Sequence, residues 1–361
     1  MGCYHPMIRV EDRLKWETAQ DGHKYHPAKI IGMEQINDLE TLRKYTAGHY
    51  KKTIIPCRNC IGCRLDYSRE WANRGYLESL EYPKDQVWFI TLTYDNNHLK
   101  IPEYIELEND YVFDRQEWWK GNLIPKDLER FLDNLKKKLR KDNKNPIRYM
   151  ACGEYGEEGS RPHYHLIIYG LELKSDDLYA PRLINKEWYY QSKLIESCWI
   201  ERTEDGVTSR GISNVSSASW NTIAYTARYI TKKINGNESE MLYAANGQDK
   251  EFFRVSNRPG IGYNYYEKHK EEIYANDQIM VKNKKGVSYC KPPHYFDKLY
   301  EQDNPMHYEM IKKAREKAGQ DKINLLIEQT SLFKREQLEV DERAKEAQSK
   351  QLRRSLESGR Q

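Results

Sequence analysis

No stretch of about 18 consecutive apolar residues occurs anywhere in this 361-residue chain, so no part of it reads as a membrane span. The opening, Met1-Gly2-Cys3-Tyr4-His5-Pro6, lacks the apolar core of a secretory leader, and a cytoplasmic setting is expected. There is no Gly-x-x-x-x-Gly-Lys-Ser/Thr run, which argues against an ATP-driven motor of the P-loop kind. No internal repeat is visible. Charge of one sign is also scarce: 59 Lys and Arg against 55 Asp and Glu leave +4, too little to decide for or against nucleic acid. Phenylalanine is short, 7 residues against 28 tyrosines. Such hydroxyl-bearing aromatics suit half-buried surface or stacking on nucleobases, and composition does not choose between them. Hydrophobic residues make up 38%, enough for a packed core.

Residues 1–56 are polar and show no strong period. Apolar positions Leu65, Ala72, Tyr76 and Leu80 predict a helix closed by Pro83, and Val87 to Tyr94 predicts a strand ended by Asp95-Asn96-Asn97. Pro125 opens an amphipathic helix with Leu128, Phe131, Leu132, Leu135 and Leu139 on one face. Ile147–Cys152 and His163–Tyr169 read as two strands of an antiparallel hairpin. Residues 188–199 are expected helical, and Ser219 caps a helix over 220–234 stopped by Gly236. Residues 251–300 read as loop-rich. The order implies an α+β fold. Three regions are expected: 1–85 with a cysteine cluster, 86–300 as the main domain, and 301–361 as a charged helical tail.

Successive strand residues point to opposite faces, so in His163-Tyr164-His165 both imidazoles share one face and Tyr164 takes the other. Two imidazoles so placed can hold a divalent cation. Glu154, at the end of the preceding strand, can return to that face with an oxygen ligand, leaving open positions as a catalytic metal requires. Glu157 and Glu158 read as surface charges of the turn. Further on, Tyr225 and Tyr229 stand four apart on a helix with Lys232 on the same side. Alone, such a pair reads as amphipathic packing. A phenol titrates near pH 10, so its use as a nucleophile needs a metal or cation beside it.

Taken in order, Phe89-Ile90-Thr91-Leu92-Thr93-Tyr94, then His163-Tyr164-His165, then Tyr225-x-x-x-Tyr229-x-x-Lys232 resemble the three motifs of rolling-circle replication initiators of the HUH endonuclease class. The double tyrosine resembles the initiators of the microviruses. Pro56-Cys57-x-x-Cys60-x-x-Cys63-Arg64, Ser68 to Ala72, Phe252 to Gly262 with its Ser256-to-Gly262 run, and Lys291 to Phe296 resemble their gokushovirus branch. The resemblance covers about residues 3–300. It implies a central antiparallel sheet flanked by helices, with Mg²⁺ or Mn²⁺ held by His163, His165 and Glu154. Tyr225 and Tyr229 would alternate as nucleophiles on single-stranded origin DNA, with Lys232 offsetting charge and Arg228 and Lys233 contacting DNA. It also implies a host helicase and replication machinery as partners, in the cytoplasm of a bacterial host.

Seven cysteines, at 3, 57, 60, 63, 152, 198 and 290, are an odd number without a leader, which favours metal or free thiols over a disulfide framework. Cys57, Cys60 and Cys63, with Cys3 as a fourth, could hold a structural Zn²⁺. The other three read as ordinary buried thiols. Two further readings stay open: a non-catalytic, zinc-stabilised binder of single-stranded nucleic acid, and a metal nuclease that activates water with its tyrosines merely structural.

Overall fold

The computed structural model describes residues 3–20, 22, 24–32, 48–99, 121–141, 146–156, 161–184, 186–232, 243, 248–283, 286–329 and 334–351. By packing, the chain forms two compact units, one of Met1–Asp66 with Ala314–Arg353 and one built on Tyr67–Lys313.

The first unit is not irregular, as the polar sequence suggests. It holds β1 (Met7–Asp12), β2 (Glu17–Thr18), β3 (Lys24–Tyr25), β4 (Ala28–Gly32) and β5 (Tyr50–Ile55). β4, β1 and β5 pair side by side in that order, and β2 with β3 makes a separate ribbon. The strands escaped notice because β1 to β4 bury almost nothing. In β1 to β4 the buried apolar side chains are Val10 and Ile31, and outside the strands Pro6, Cys3, Cys60 and Cys63 are buried.

The second unit takes up α1 (Ile61–Ser79) from Tyr67 onward, then β6 (Val87–Tyr94), α2 (Pro125–Lys141), β7 (Arg148–Tyr155) and β8 (Pro162–Tyr169). There follow β9 (Leu178–Ile184), β10 (Glu187–Ser192), the short α3 (Lys193–Glu196), and a ribbon of β11 (Ile200–Thr203) with β12 (Gly206–Ser209). Next come β13 (Gly211–Ser217), α4 (Trp220–Lys232), β14 (Phe252–Val255) and α5 (Tyr263–Asn276). A second ribbon, β15 (Ile279–Asn283) with β16 (Gly286–Cys290), precedes α6 (His294–Asp303). The helices α7 (Pro305–Gln329) and α8 (Lys334–Gln351) complete the described chain. Seven strands form one antiparallel sheet in the order β14-β7-β8-β6-β13-β10-β9. No described helix is long and apolar enough to cross a membrane.

Helices cover both faces of the central strands, which is why these read as nearly unbroken apolar runs rather than alternating ones. The even-numbered side chains Trp88, Ile90, Leu92 and Tyr94 of β6 and Tyr164, Leu166 and Ile168 of β8 pack with Leu128, Phe131, Leu132, Leu135 and Leu139 of α2. The odd-numbered ones, among them Val87, Phe89, Ile167 and Tyr169, pack with Ala72 of α1 and Ile223, Ala224, Tyr225 and Ala227 of α4. Gly75 lets α1 come close: a Cβ there would stand 2.5 Å from Met150 Sδ and 2.8 Å from Ile223 Cγ2.

The α2 face also holds a buried polar network. Asp127 accepts from Arg210 Nη1 at 2.7 Å and from the Tyr94 hydroxyl at 2.8 Å, and the Tyr94 and Tyr164 hydroxyls lie 2.8 Å apart. Burial, chiefly, drives both phenols well above their ordinary range. Asp127→Ala would leave the buried Arg210 guanidinium with only the more exposed and more distant Glu201 carboxylate, at 3.3 Å. We expect a loss of about 3–5 kcal/mol in urea unfolding; a loss below about 1 kcal/mol would show that the pair matters little.

Two expectations fail. Residues 188–199 are not one helix: Glu187–Ser192 is a strand, followed by one helical turn. Tyr189 packs on one side of the sheet and Tyr190 on the other, a period of two that the bracketing tryptophans disguised. Residues 251–300 are not mostly loop, since α5, α6 and a ribbon occupy them. The buried residues of α5 are Tyr266, Ile273 and Tyr274, and two of these phenols read as surface. Their hydroxyls donate to Asp303 and Asp297, which lets them go inside.

Candidate active site

Strand pairing brings Glu154, His163 and Thr93 into one cross-strand row and Cys152, His165 and Thr91 into the next. Both rows belong to the odd-numbered face, toward α4. His163, His165, Glu154 and Thr91 are all buried. Glu154 Oε1 lies 2.8 Å from His165 Nε2, so the carboxylate does return to the histidine face.

The hydrogen bonds constrain the imidazoles. His163 Nδ1 is 2.6 Å from the Arg161 carbonyl oxygen, which can only accept. Nδ1 therefore carries a proton, and in the neutral ring this leaves the lone pair on Nε2, the arrangement a metal-ligating histidine uses. His165 Nδ1 is 3.1 Å from the Thr91 hydroxyl. The ionised Glu154 carboxylate at His165 Nε2 can only accept, so Nε2 carries the proton in this arrangement and the Thr91 hydroxyl donates to Nδ1. Phe89, two residues before Thr91, stacks on the His165 ring with centroids 5.6 Å apart at 10°. The two imidazoles are parallel, 3° apart in plane, with centroids at 6.3 Å. Ligand atoms sharing one ion stand about 3 Å apart. Among the described residues, only the four cysteines bring three or more ligand atoms within 4.8 Å of one another, so a joint grip by His163, His165 and Glu154 needs side-chain movement. The donor set itself, two imidazoles and a carboxylate, fits a divalent cation with room for substrate oxygen.

The helix bearing the tyrosines lies directly over these rows. Thr222 N–H donates to Ser219 Oγ and Ser219 N–H to Thr222 Oγ1, a reciprocal cap at the expected start of α4. The Tyr225 ring is 6% exposed and packs edge-on against His165 at 5.2 Å and Phe89 at 6.1 Å. Tyr229 and Lys232 fall on the same helix, four and seven residues on, where the description covers the backbone alone. Arg228 is half-buried. Lys233, Glu157 and Glu158 lie outside the described residues.

Residue types missed two participants. Phe89 belongs to the first motif, yet it also clamps His165; its place two residues before Thr91, on the same strand face, is the sequence signal for that role. The Arg161 carbonyl that sets the His163 proton has no sequence signal at all. The other quoted stretches meet around α1. Arg74 lies between the rings of Trp71 and Tyr295, at 4.1 and 4.2 Å, and donates to the Ile261 carbonyl. Glu78 accepts from Gly262 N–H and pairs with Arg148, both at 2.6 Å. These contacts serve the scaffold rather than the imidazoles.

In the first unit, the sulfurs of Cys3, Cys57, Cys60 and Cys63 gather within 4.8 Å of one another. Cys3 precedes β1, Cys57 follows β5, and Cys60 and Cys63 lie at the start of α1. Burial pushes the Cys3 thiol up to about 11 and Cys63 well above its ordinary range, whereas at Cys60 burial is outweighed by the N–H groups of Cys63 and Tyr4 and by the Cys63 and Cys57 side chains, which bring it down to about 7. Cys152 and Cys198 are buried as expected; Cys290 is only half-buried, because it ends a ribbon whose outer residues are exposed.

Residues 87–234 match the family model for the replication-associated protein ORF2/G2P. This stretch runs from β6 through α4 and contains every candidate residue except the cysteines. The chain is 32% identical to the replication-associated protein ORF2 of Spiroplasma virus 4 over 267 residues, 73% of this chain and 74% of that protein. It is 29% identical to the replication-associated protein VP4 of Bdellovibrio phage phiMH2K, covering 82% of this chain and 83% of the relative. A third relative, the replication-associated protein ORF4 of Chlamydia phage 1, is 24% identical over 79% of this chain and 65% of its own length. No solved structure gives a significant match.

Proposed function

Because this chain belongs to the microvirus replication-associated proteins, we propose that it starts rolling-circle replication as an HUH endonuclease, nicking one strand at the viral origin and rejoining it through tyrosine. The observation that carries this reading is the Tyr225 ring packed edge-on against His165, which sets a candidate nucleophile beside a candidate metal ligand. A Mg²⁺ or Mn²⁺ ion held by His163, His165 and Glu154 would polarise the scissile phosphate and so make a phenol competent to attack. In the chain's own part of the reaction, the Tyr225 hydroxyl gives up its proton and its Oη–P bond forms. The P–O3′ bond breaks, leaving a free 3′-hydroxyl and a 5′-phosphotyrosine. That ester keeps the energy of the broken bond, so rejoining needs no ATP.

Lys232 and Arg228 belong to the same helix and would offset phosphate charge, with Lys233 just beyond. Tyr229, one turn after Tyr225, would attack the regenerated origin while Tyr225 still holds the first end. Unwinding falls to a host helicase, since no P-loop is encoded. The test is incubation of the full chain with labelled single-stranded origin DNA and Mn²⁺, followed by a denaturing gel. A labelled band migrating with the protein is expected. Cleaved DNA without such a band would make the water-activating nuclease the better reading, and binding without cleavage the non-catalytic one.

A further inference from the structure

We propose that Cys3, Cys57, Cys60 and Cys63 form a closed four-thiolate site for a structural zinc ion. Zinc bound to sulfur at about 2.3 Å in a tetrahedron sets neighbouring sulfurs about 3.8 Å apart. Here the Cys57–Cys63 and Cys60–Cys3 sulfurs are each 4.0 Å apart. A disulfide would need about 2.05 Å, and all four residues are free cysteines. Backbone N–H groups donate to sulfur from Cys57 to Cys3 at 3.2 Å, from Tyr4 to Cys60 at 3.3 Å, and from Cys60 to Cys57 at 3.4 Å. Cys60 directly precedes α1, where the helix N-terminus favours negative charge.

The core of this unit supplies an independent reason. Across β1 to β4 the buried apolar side chains are Val10 and Ile31 alone. Strands that bury so little gain from a staple, and the cluster ties the segment before β1 to the end of β5 and the start of α1. Four thiolates leave no position for substrate, so the ion is structural. Four soft sulfur ligands in a tetrahedron select zinc over the hard cations Mg²⁺ and Mn²⁺. This proposal does not depend on the nickase reading.

The full chain, purified under reducing conditions from medium holding both zinc and iron, should contain about one zinc per chain by elemental analysis. Replacement with Co²⁺ should give the intense thiolate charge-transfer and visible bands of tetrahedral sulfur ligation, a readout that needs no variant to fold. Cys60→Ser should lose the metal and become protease-sensitive within Met1–Asp66, while Cys290→Ser, outside the cluster, should keep it. Iron in place of zinc, a metal-free protein with a protease-resistant first unit, a cobalt form without thiolate bands, or zinc loss in Cys290→Ser would each overturn the assignment.

Discussion

The double variant Tyr225→Phe with Tyr229→Phe is expected to form no covalent adduct with single-stranded origin DNA in Mn²⁺, while still binding that DNA about as well as the parent. Phenylalanine deletes only the hydroxyl. The Tyr225 ring keeps its edge contacts with His165 and Phe89, so the site should hold its shape. Affinity comes mainly from phosphate contacts, which neither substitution removes. Each single variant should still form an adduct but fail to complete repeated cleavage-and-joining cycles, because the second round needs a second phenol. Denaturing gels of the four proteins decide the matter. An adduct from the double variant would place the nucleophile elsewhere.

Nearly as large an effect is expected at the histidines. His163→Ala or His165→Ala should reduce nicking below detection and leave origin binding within a few-fold of the parent, since the imidazoles serve the cation rather than affinity. Both side chains are buried, so urea unfolding must accompany the assay to separate lost chemistry from lost fold. Thr91→Val should be milder. It removes the hydroxyl 3.1 Å from His165 Nδ1 without touching a ligand, and losses of this kind typically run to about 10–100-fold in metal affinity or activity. Raising Mn²⁺ should restore much of the Thr91→Val activity and none of the His163→Ala activity. Equal loss of binding and cleavage in the histidine variants would count against this division of labour.

The strands and helices around the site were legible because their residues carry strong local signals. Pro125 followed by the Leu128-to-Leu139 stripe gives α2, seen over Pro125–Lys141 with all five stripe residues buried. The β-rich run 87–94 gives β6 as expected. The elements that escaped are those whose buried residues look polar. α5 turns two phenols inward on carboxylate partners. β1 to β4 bury little beyond Val10 and Ile31, and their pairing is visible only in the fold. The boundaries at 85 and 300 follow shifts in composition, whereas packing groups Ala314–Arg353 with the first 66 residues.

Sequence alone determined which side chains could do chemistry and which of them share a face. The two-residue period puts His163 with His165, and the four-residue spacing puts Tyr225 and Tyr229 one turn apart, before any tertiary contact is known. Only the tertiary structure decided what those faces meet. Glu154 reaches His165 through the register of β7 on β8, Thr91 through β6 on β8, and the Tyr225 ring through the packing of α4 on the sheet. Cys3 joins Cys57, Cys60 and Cys63 across more than fifty residues in the same way. The physical reason is that local periodicity is set by backbone geometry within one element, whereas the partner of a face is chosen by strand register and by which apolar surfaces are buried together, and those contacts join residues the chain leaves far apart.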